Sequence, residues 1–214
     1  MLKDLYIIGA GGFGREVAWL VERINQVTPT WNIVGFIDDD ERKRGKEEGN
    51  YKVIGSVQYL ANLDSEIYVV CAIGNPRARE KVIHKLGKMK RIRFATLVDP
   101  SVIRSSSVKI GQGTIICAGT ILTVNITIGK HVIINLDCTI GHDAIISSYS
   151  TLYPSVNISG NCIIGENVEI GTGSQIIQGL GISDNTIIGA GSVVVRNITE
   201  SSTYVGIPAK KIIY

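Results

Sequence analysis

The sequence predicts a small α/β domain with a parallel sheet over residues 1–95, followed by an all-β coiled stack of short parallel strands over residues 96–214. Three observations carry this. Every sixth residue from 110 to 194 is Ile, Leu or Val, without a break. Two residues before each stands a second series, from Val108 to Ser192, that is small or aliphatic throughout. Ahead of the repeat, apolar runs alternate with glycine turns and helix-period patterns instead.

Leu5-Tyr6-Ile7-Ile8 is the first buried-strand run, and Gly9-Ala10-Gly11-Gly12-Phe13-Gly14 follows at once. Val17, Leu20, Val21 and Ile24 then recur at the i, i+3, i+4, i+7 spacing of an amphipathic helix. Ile33 to Ile37 is a second strand, ending in Asp38-Asp39-Asp40, and Glu41 to Asn50 is a charged, glycine-containing loop. A third strand, Ile67 to Ile73, ends in Gly74-Asn75-Pro76, where Asn75 is placed to cap a helix with Pro76 at its first position. That helix takes in Lys81 to Leu86 and with it His84, a surface or packing residue there. Alternating strands and helices imply a small parallel sheet, Rossmann-like in its order.

A G-x-G-x-x-G run between a strand and a helix places backbone N–H groups and a helix N-terminus where a phosphate can sit, with acidic residues at the end of the next strand for a ribose or base. A dinucleotide site, a site for a nucleotide-linked substrate and a tight turn without a ligand all fit that pattern. Fewer than 100 residues leave little room for the second half of a full dinucleotide fold, which counts against NAD.

In the repeat, inward residues two apart followed by a gap of four read as short strand, corner, short strand, which no helix period produces. That is a hexapeptide β-helix. Gly follows the aliphatic residue at 111, 129, 141, 165, 171 and 189 and Asn at 135, where a corner is expected to need φ > 0. Cys138 and Cys162 fall in the small inward column as compact core residues, and no C-x-x-C pair exists. Asn125-Ile-Thr127, Asn157-Ile-Ser159 and Asn197-Ile-Thr199 match the glycosylation sequon, but read better as turn and edge residues of the coil.

A composition that is 44% hydrophobic and 19% charged is that of an ordinary globular protein. Met1 leads straight into a strand with no basic n-region and no cleavage site, and no run of about 18 apolar residues occurs, so the expectation is a cytoplasmic chain without a membrane span. A net charge of +3 without clustered Lys and Arg gives no nucleic-acid groove.

The hexad columns resemble those of the hexapeptide-repeat acyltransferases, whose coils are left-handed with three hexads per turn. The hand comes from the resemblance, since the general rule for parallel crossovers favours the opposite one. With I-I-G-A-G-G-F-G-R-E-V at 7–17, G-F-I-D-D-D at 35–40, A-I-G-N-P at 72–76 and V-G-I-P-A-K at 205–210, nearly the whole chain is similar to the sugar acyltransferase family that includes sialic acid O-acetyltransferases and N-acetyltransferases of nucleotide-linked 4-amino-sugars. The resemblance implies that Gly11, Gly12 and Phe13 contact a nucleotide-linked sugar, that Asp38 and Asp39 meet its nucleoside, and that Gly55 lies at its far edge. Relatives often carry His at the place of Phe13.

Of three histidines, His131 at a corner reads as a solvated turn residue, whereas His142 in Ile140-Gly141-His142-Asp143 has Val124 and Gly160 as its neighbours eighteen residues away, and Gly160 leaves a hollow beside the imidazole. Acetyl transfer from a thioester needs a group that takes a proton, and an imidazole with a pKa of about 6.5 suits neutral pH. A carboxylate beside it orients the ring. Residues one apart on a strand face opposite ways, so Asp143 meets His142 only if the corner bends there. From spacing alone, a turn His with a charged neighbour fits as well. The resemblance aligns the pair with the family's base and acidic partner. It also matches Thr151, Gly160, Thr172 and Ala190 to contacts with acetyl-CoA and Asn135 to a place near the transferred acetyl. Some relatives have a second His at the position of Thr151. Lys210 and Lys211 are either partners of the CoA phosphates or solvated tail charges.

The expected protein is a homotrimer with active sites between subunits that N-acetylates a nucleotide-activated amino-sugar, with acetyl-CoA as co-substrate and no metal. The alternatives are a sialic-acid-type O-acetyltransferase and a non-catalytic trimeric scaffold that binds a nucleotide-sugar.

Overall fold

A computed structural model describes residues 2–212, which divide into two compact units between Pro100 and Ser101. In the first unit β1 (Lys3–Ile8), α1 (Gly12–Val27), β2 (Trp31–Ile37), β3 (Glu47–Glu48), β4 (Tyr51–Gly55), α2 (Val57–Leu60), β5 (Ile67–Cys71), α3 (Pro76–Leu86) and β6 (Ile92–Phe94) follow in sequence. The sheet order is β3-β4-β2-β1-β5-β6, parallel except for the β3–β4 hairpin. The segment read as a charged loop therefore contains a hairpin strand. Its missing signal is physical, because a two-residue edge strand buries nothing and shows no alternation.

Leu5, Ile7, Phe36, Ile37, Val69 and Val70 are fully shielded and form the centre of this unit, against which α1 lays Val17, Leu20 and Val21. Asn75 caps α3 by accepting from the Ala78 N–H at 2.9 Å, with Pro76 opening the helix. Arg23 on α1 grips the buried Asp99 through two hydrogen bonds of 2.6 and 3.0 Å, fixing the end of this unit to its first helix.

The second unit is a parallel β-helix of two-residue strands. Ile115 pairs with Ile133, Ile133 with Thr151 and Thr151 with Glu169, so each turn takes eighteen residues. The aliphatic column is buried from Ile116 to Val194, and only Ile110, at the open start, is half-exposed. The small column hides its polar members by pairing them: Thr114, Ser150 and Ser174 donate to the carbonyls of Gly129, Gly165 and Gly189 at 2.7–2.9 Å. These three hydroxyls thus satisfy themselves on the next coil, which removes the desolvation penalty of roughly 1–3 kcal/mol that an unpaired group incurs. Cys138 and Cys162 do the same toward Tyr153 and Ile177.

The corner glycines correct the sequence reading. Positive φ occurs three residues after each aliphatic from Ile110 to Ile188, at Gly113, Asn125, His131, Asp137 and Asp143 among others, and at none of the glycines that directly follow the aliphatic. Those have a different reason for lacking a side chain: a Cβ on Gly129 would stand 2.6 Å from the Ser148 nitrogen of the next coil, and one on Gly171 would come 2.8 Å from Ala190 Cα. The glycine is required by coil-to-coil approach, and the left-handed residue by the bend. At the end of the stack Thr203–Val205 pairs in parallel with Ile187–Ile188 and antiparallel with Lys210–Lys211.

Candidate active site

In the first unit the four turn glycines differ in what they are for. Gly9 has φ +99°, and its added Cβ would reach Ala72 O at 3.2 Å, while a Cβ on Gly14 would strike the Gly9 carbonyl. Both serve the fold. At Gly11 a Cβ would meet nothing within 4 Å, and at Gly12 only Arg15 Nη2 at 4.0 Å. The turn opens α1, whose N-cap Gly11 provides no side-chain cap and whose first turn holds no acid. It lies after β1 where the strand order reverses toward β5, the place at which open α/β sheets take ligands. Phe13 is half-buried beside it.

Asp38 and Asp39 stand at the end of β2 and border two adjoining clefts, one running toward Val57, Ile73 and Val82 and the other toward Arg44, Ser56 and Tyr59. Asp38 is engaged by the chain itself. Its Oδ2 accepts from the Ala10 N–H at 2.9 Å and from Lys43 Nζ at 2.8 Å, and its Oδ1 from the Asp40 N–H at 2.9 Å. Burial pushes its pKa up, but the bonds from Lys43 and from the Asp40 and Ala10 amides more than offset that and hold it below the ordinary carboxylate value. Asp39 accepts from the Val57 N–H at 2.8 Å through Oδ1, at the start of α2. Gly55 is buried; its carbonyl accepts from the Asp38 N–H at 2.9 Å, and a Cβ there would stand 2.7 Å from that of Tyr59.

In the β-helix the bend after Thr139–Ile140 brings His142 and Asp143 together. Asp143 takes φ +60°, so the backbone turns left-handed between two residues that would otherwise face apart, and Nδ1 of His142 lies 2.8 Å from Asp143 Oδ2. Asp143 Oδ1 accepts from Asn125 Nδ2 at 3.2 Å. The hydrogen bond to His142, followed by that from Asn125, holds the Asp143 carboxyl below its ordinary value. With side-chain exposures of 49% and 45% the pair is open to a substrate. Gly160 lies directly against the ring, since a Cβ there would overlap Nε2 and Cε1. The space left by the missing side chain, expected from the eighteen-residue spacing, is filled by the ring itself.

The other residues expected at the cofactor occupy different corners of the chain. Asn135 belongs to the preceding bend, is 8% exposed, and its Oδ1 accepts from the Leu136 N–H at 2.7 Å. Thr151 is buried at 1% exposure on the sheet that leads into that bend, and Thr172 and Ala190 are exposed one coil apart on the same corner as Asn135. His131 is not the solvated turn residue its position suggested: it is 4% exposed and stacks on Tyr149 with ring centroids 5.6 Å apart. Lys210 and Lys211 line a cavity at the end of the stack with Tyr204 and Arg196, and Lys211 also binds Glu200. Arg196 was missed by sequence reasoning. Its signal was register, because it stands three coils from His142 in the same slot of the hexad. Among the described residues no group of three or more His, Cys, Asp and Glu is gathered as metal ligands would be, and no helix is long and apolar enough to cross a membrane.

Residues 4–86 match the family model described as the PglD N-terminal domain. UDP-N-acetylbacillosamine N-acetyltransferase of Bacillus subtilis (strain 168) is 34% identical over 118 residues, 55% of this chain and 52% of that enzyme, so the match spans about half the length of this curated relative. The solved acetyltransferase domain of PglB from Neisseria gonorrhoeae FA1090 superposes with a TM-score of 0.89 at 30% identity, covering 98% of this chain and 100% of that one. PerB from Caulobacter crescentus, solved in complex with CoA and GDP-perosamine, gives a TM-score of 0.89 at 28% identity, with coverage of 99% and 98%. Fold, site geometry and end-to-end likeness define an acyltransferase of the hexapeptide-repeat class. Within that class, the chain belongs to the family of nucleotide-linked amino-sugar N-acetyltransferases.

Proposed function

We propose that this protein transfers the acetyl group of acetyl-CoA to the amine of a nucleotide-linked amino-sugar, in the synthesis of a surface glycan, with His142 as general base. The observation that carries the reading is the His142–Asp143 pair at 2.8 Å, with the ring seated against Gly160, whose missing side chain makes room for it. Asp143 accepts from Nδ1–H, which leaves Nε2 as the proton acceptor. The amine's electron pair forms the C–N bond at the thioester carbonyl carbon, its proton passes to Nε2, and the electrons of the C–S bond leave with the CoA sulfur. The open Gly11 and Gly12 give the sugar's diphosphate access to the α1 N-terminus, and Asp39, at the rim of both clefts, meets the nucleoside.

On the cofactor side, Gly160 makes the room in which the base is seated, Thr172 and Ala190 present an exposed surface, and Lys210 with Arg196 supplies cations for the CoA phosphates. Thr151 and Asn135 are shielded in the single chain, and their assignment to the acetyl site rests on family resemblance.

The test is thiol release from acetyl-CoA with UDP-, dTDP- and GDP-linked amino-sugars, alongside the matching sugars that carry a hydroxyl in place of the amine. Thiol release that needs the amine is the expected result. Release with the hydroxyl sugars alone, or with none of them, refutes the proposal.

A further inference from the structure

The bend that carries His142 stacks on bends of the neighbouring coils, and their left-handed residues form a column: Asn125, Asp143 and Asn161, with φ of 58°, 60° and 55°. Asn and Asp are the side chains that tolerate this backbone most readily. Shape alone thus explains Asn125 as a turn residue. It does not explain its side-chain amide, which donates to Asp143 Oδ1 at 3.2 Å while Asp143 Oδ2 faces His142 Nδ1 at 2.8 Å. The Asn125 N–H is in turn held by Ser107 Oγ at 2.8 Å. One carboxylate, two oxygens, and a separate partner for each produce a chain Ser107–Asn125–Asp143–His142 along one edge of the β-helix.

We infer that Asn125 is a positioning residue for the base. By holding Oδ1 from the preceding coil it fixes the plane of the Asp143 carboxylate, so that Oδ2 points at Nδ1. The imidazole then carries its proton on Nδ1 and presents Nε2 to the amine. An exposed carboxylate without such a tether rotates and meets water as readily as the ring. At the register of the ring the neighbouring coils present Val124 and Gly160, neither of which titrates, and Asp143 is the charged residue hydrogen-bonded to it. The inference rests on His142 acting as the base proposed above, and the experiment separates the two.

Asn125→Gly keeps the left-handed backbone and removes the amide. Asn125→Asp keeps the shape and replaces a donor with a second negative charge. In the full-length protein the His142 ring is followed through its ¹⁵N shifts across pH, which needs no substrate. Asn125→Asp should lower the fraction of the Nδ1–H tautomer, because a carboxylate cannot donate to Asp143 Oδ1 and repels it. Asn125→Gly should lower that fraction too. In turnover, Asn125→Gly should lower kcat roughly three- to tenfold, the worth of one hydrogen bond, with KM for acetyl-CoA and for the sugar nucleotide unchanged. Ring spectra identical to wild type in both variants overturn the inference, even where the melting temperature falls, since that result marks a turn residue. The spectra decide this point whether or not any amino-sugar is acetylated, and an absence of turnover in the wild type counts against the proposed function.

Discussion

A carboxylate and an imidazole on adjacent residues meet here only because Asp143 takes φ +60°, and the chemistry depends on that one torsion. Replacing His142 by Ala removes the proton acceptor and nothing of the fold, since the ring is half-exposed, so kcat should fall about 10²- to 10⁴-fold with both KM values nearly unchanged. Retention of more than half of wild-type kcat would end the assignment. Asp143→Asn should cost less and should also alter the pH–rate profile, because the carboxylate that orients the ring is gone. In the wild type Asp143, held below its ordinary value, stays ionised through the working range and releases the ring only as the pH falls through that lowered value. A pH profile identical to wild type would show that the pair does not act together.

Among the elements, two glycines of neighbouring coils separate stability from chemistry. A Cβ on Gly141 would come 2.7 Å from the Ser159 carbonyl carbon, and backbone cannot yield without parting two coils, so Gly141→Ala should destabilise by about 1–3 kcal/mol in denaturant titration. Gly160→Ala instead meets a half-exposed side chain that can swing away, so it should leave stability within about 1 kcal/mol of wild type while kcat falls. Equal losses of stability would contradict this division. In the first unit, Asp39→Asn keeps an oxygen for the Val57 N–H but removes the charge, and should raise KM for the sugar nucleotide about tenfold without touching KM for acetyl-CoA. Asp38→Ala should instead loosen the glycine turn it ties to Lys43. Because the Asp38 pKa is lowered in the fold, its contribution to stability is complete above the ordinary carboxylate value and is lost as the pH falls through the lowered one, so the variant should differ from wild type at neutral pH and converge with it in acid. The hexad columns, α1, β1, β2 and β5 were legible because each buries a periodic face. The position of the left-handed residue was not, since Gly, Asn, Asp, His, Tyr and Ser all occupy it and no residue type marks it. For the same reason the sequence placed His142 beside Gly160 but left its meeting with Asp143 open, and Asn125 looked like any turn asparagine.

At the scale of the whole molecule the β-helix leaves apolar side chains facing solvent that a lone subunit has no use for: Ile145 and Ile163 are 42% and 55% exposed on one flank, and Ile103 and Ile121 are 65% and 38% exposed on another. Within one chain, His142 and the expected acetyl-CoA contacts Thr172 and Ala190 stand at different corners, and a second subunit laid against a flank is the simplest way to complete a site from both. Three subunits round a threefold axis close such a heterologous contact without leaving an open end. Sedimentation should therefore give three times the 23.1 kDa chain, and Ile163→Asp should shift the mass toward the monomer with loss of turnover. The sharper measurement mixes two inactive variants, His142→Ala and Ala190→Trp, unfolded together and reassembled in equal amounts. If the base and the Ala190 surface of one site come from different subunits, random reassortment restores them to the same interface in about a quarter of cases, and activity should recover to about that fraction of wild type. Recovery should vanish when the variants are assembled separately before mixing. If each chain holds a complete site of its own, every site in the mixture carries one lesion, and no order of mixing recovers activity.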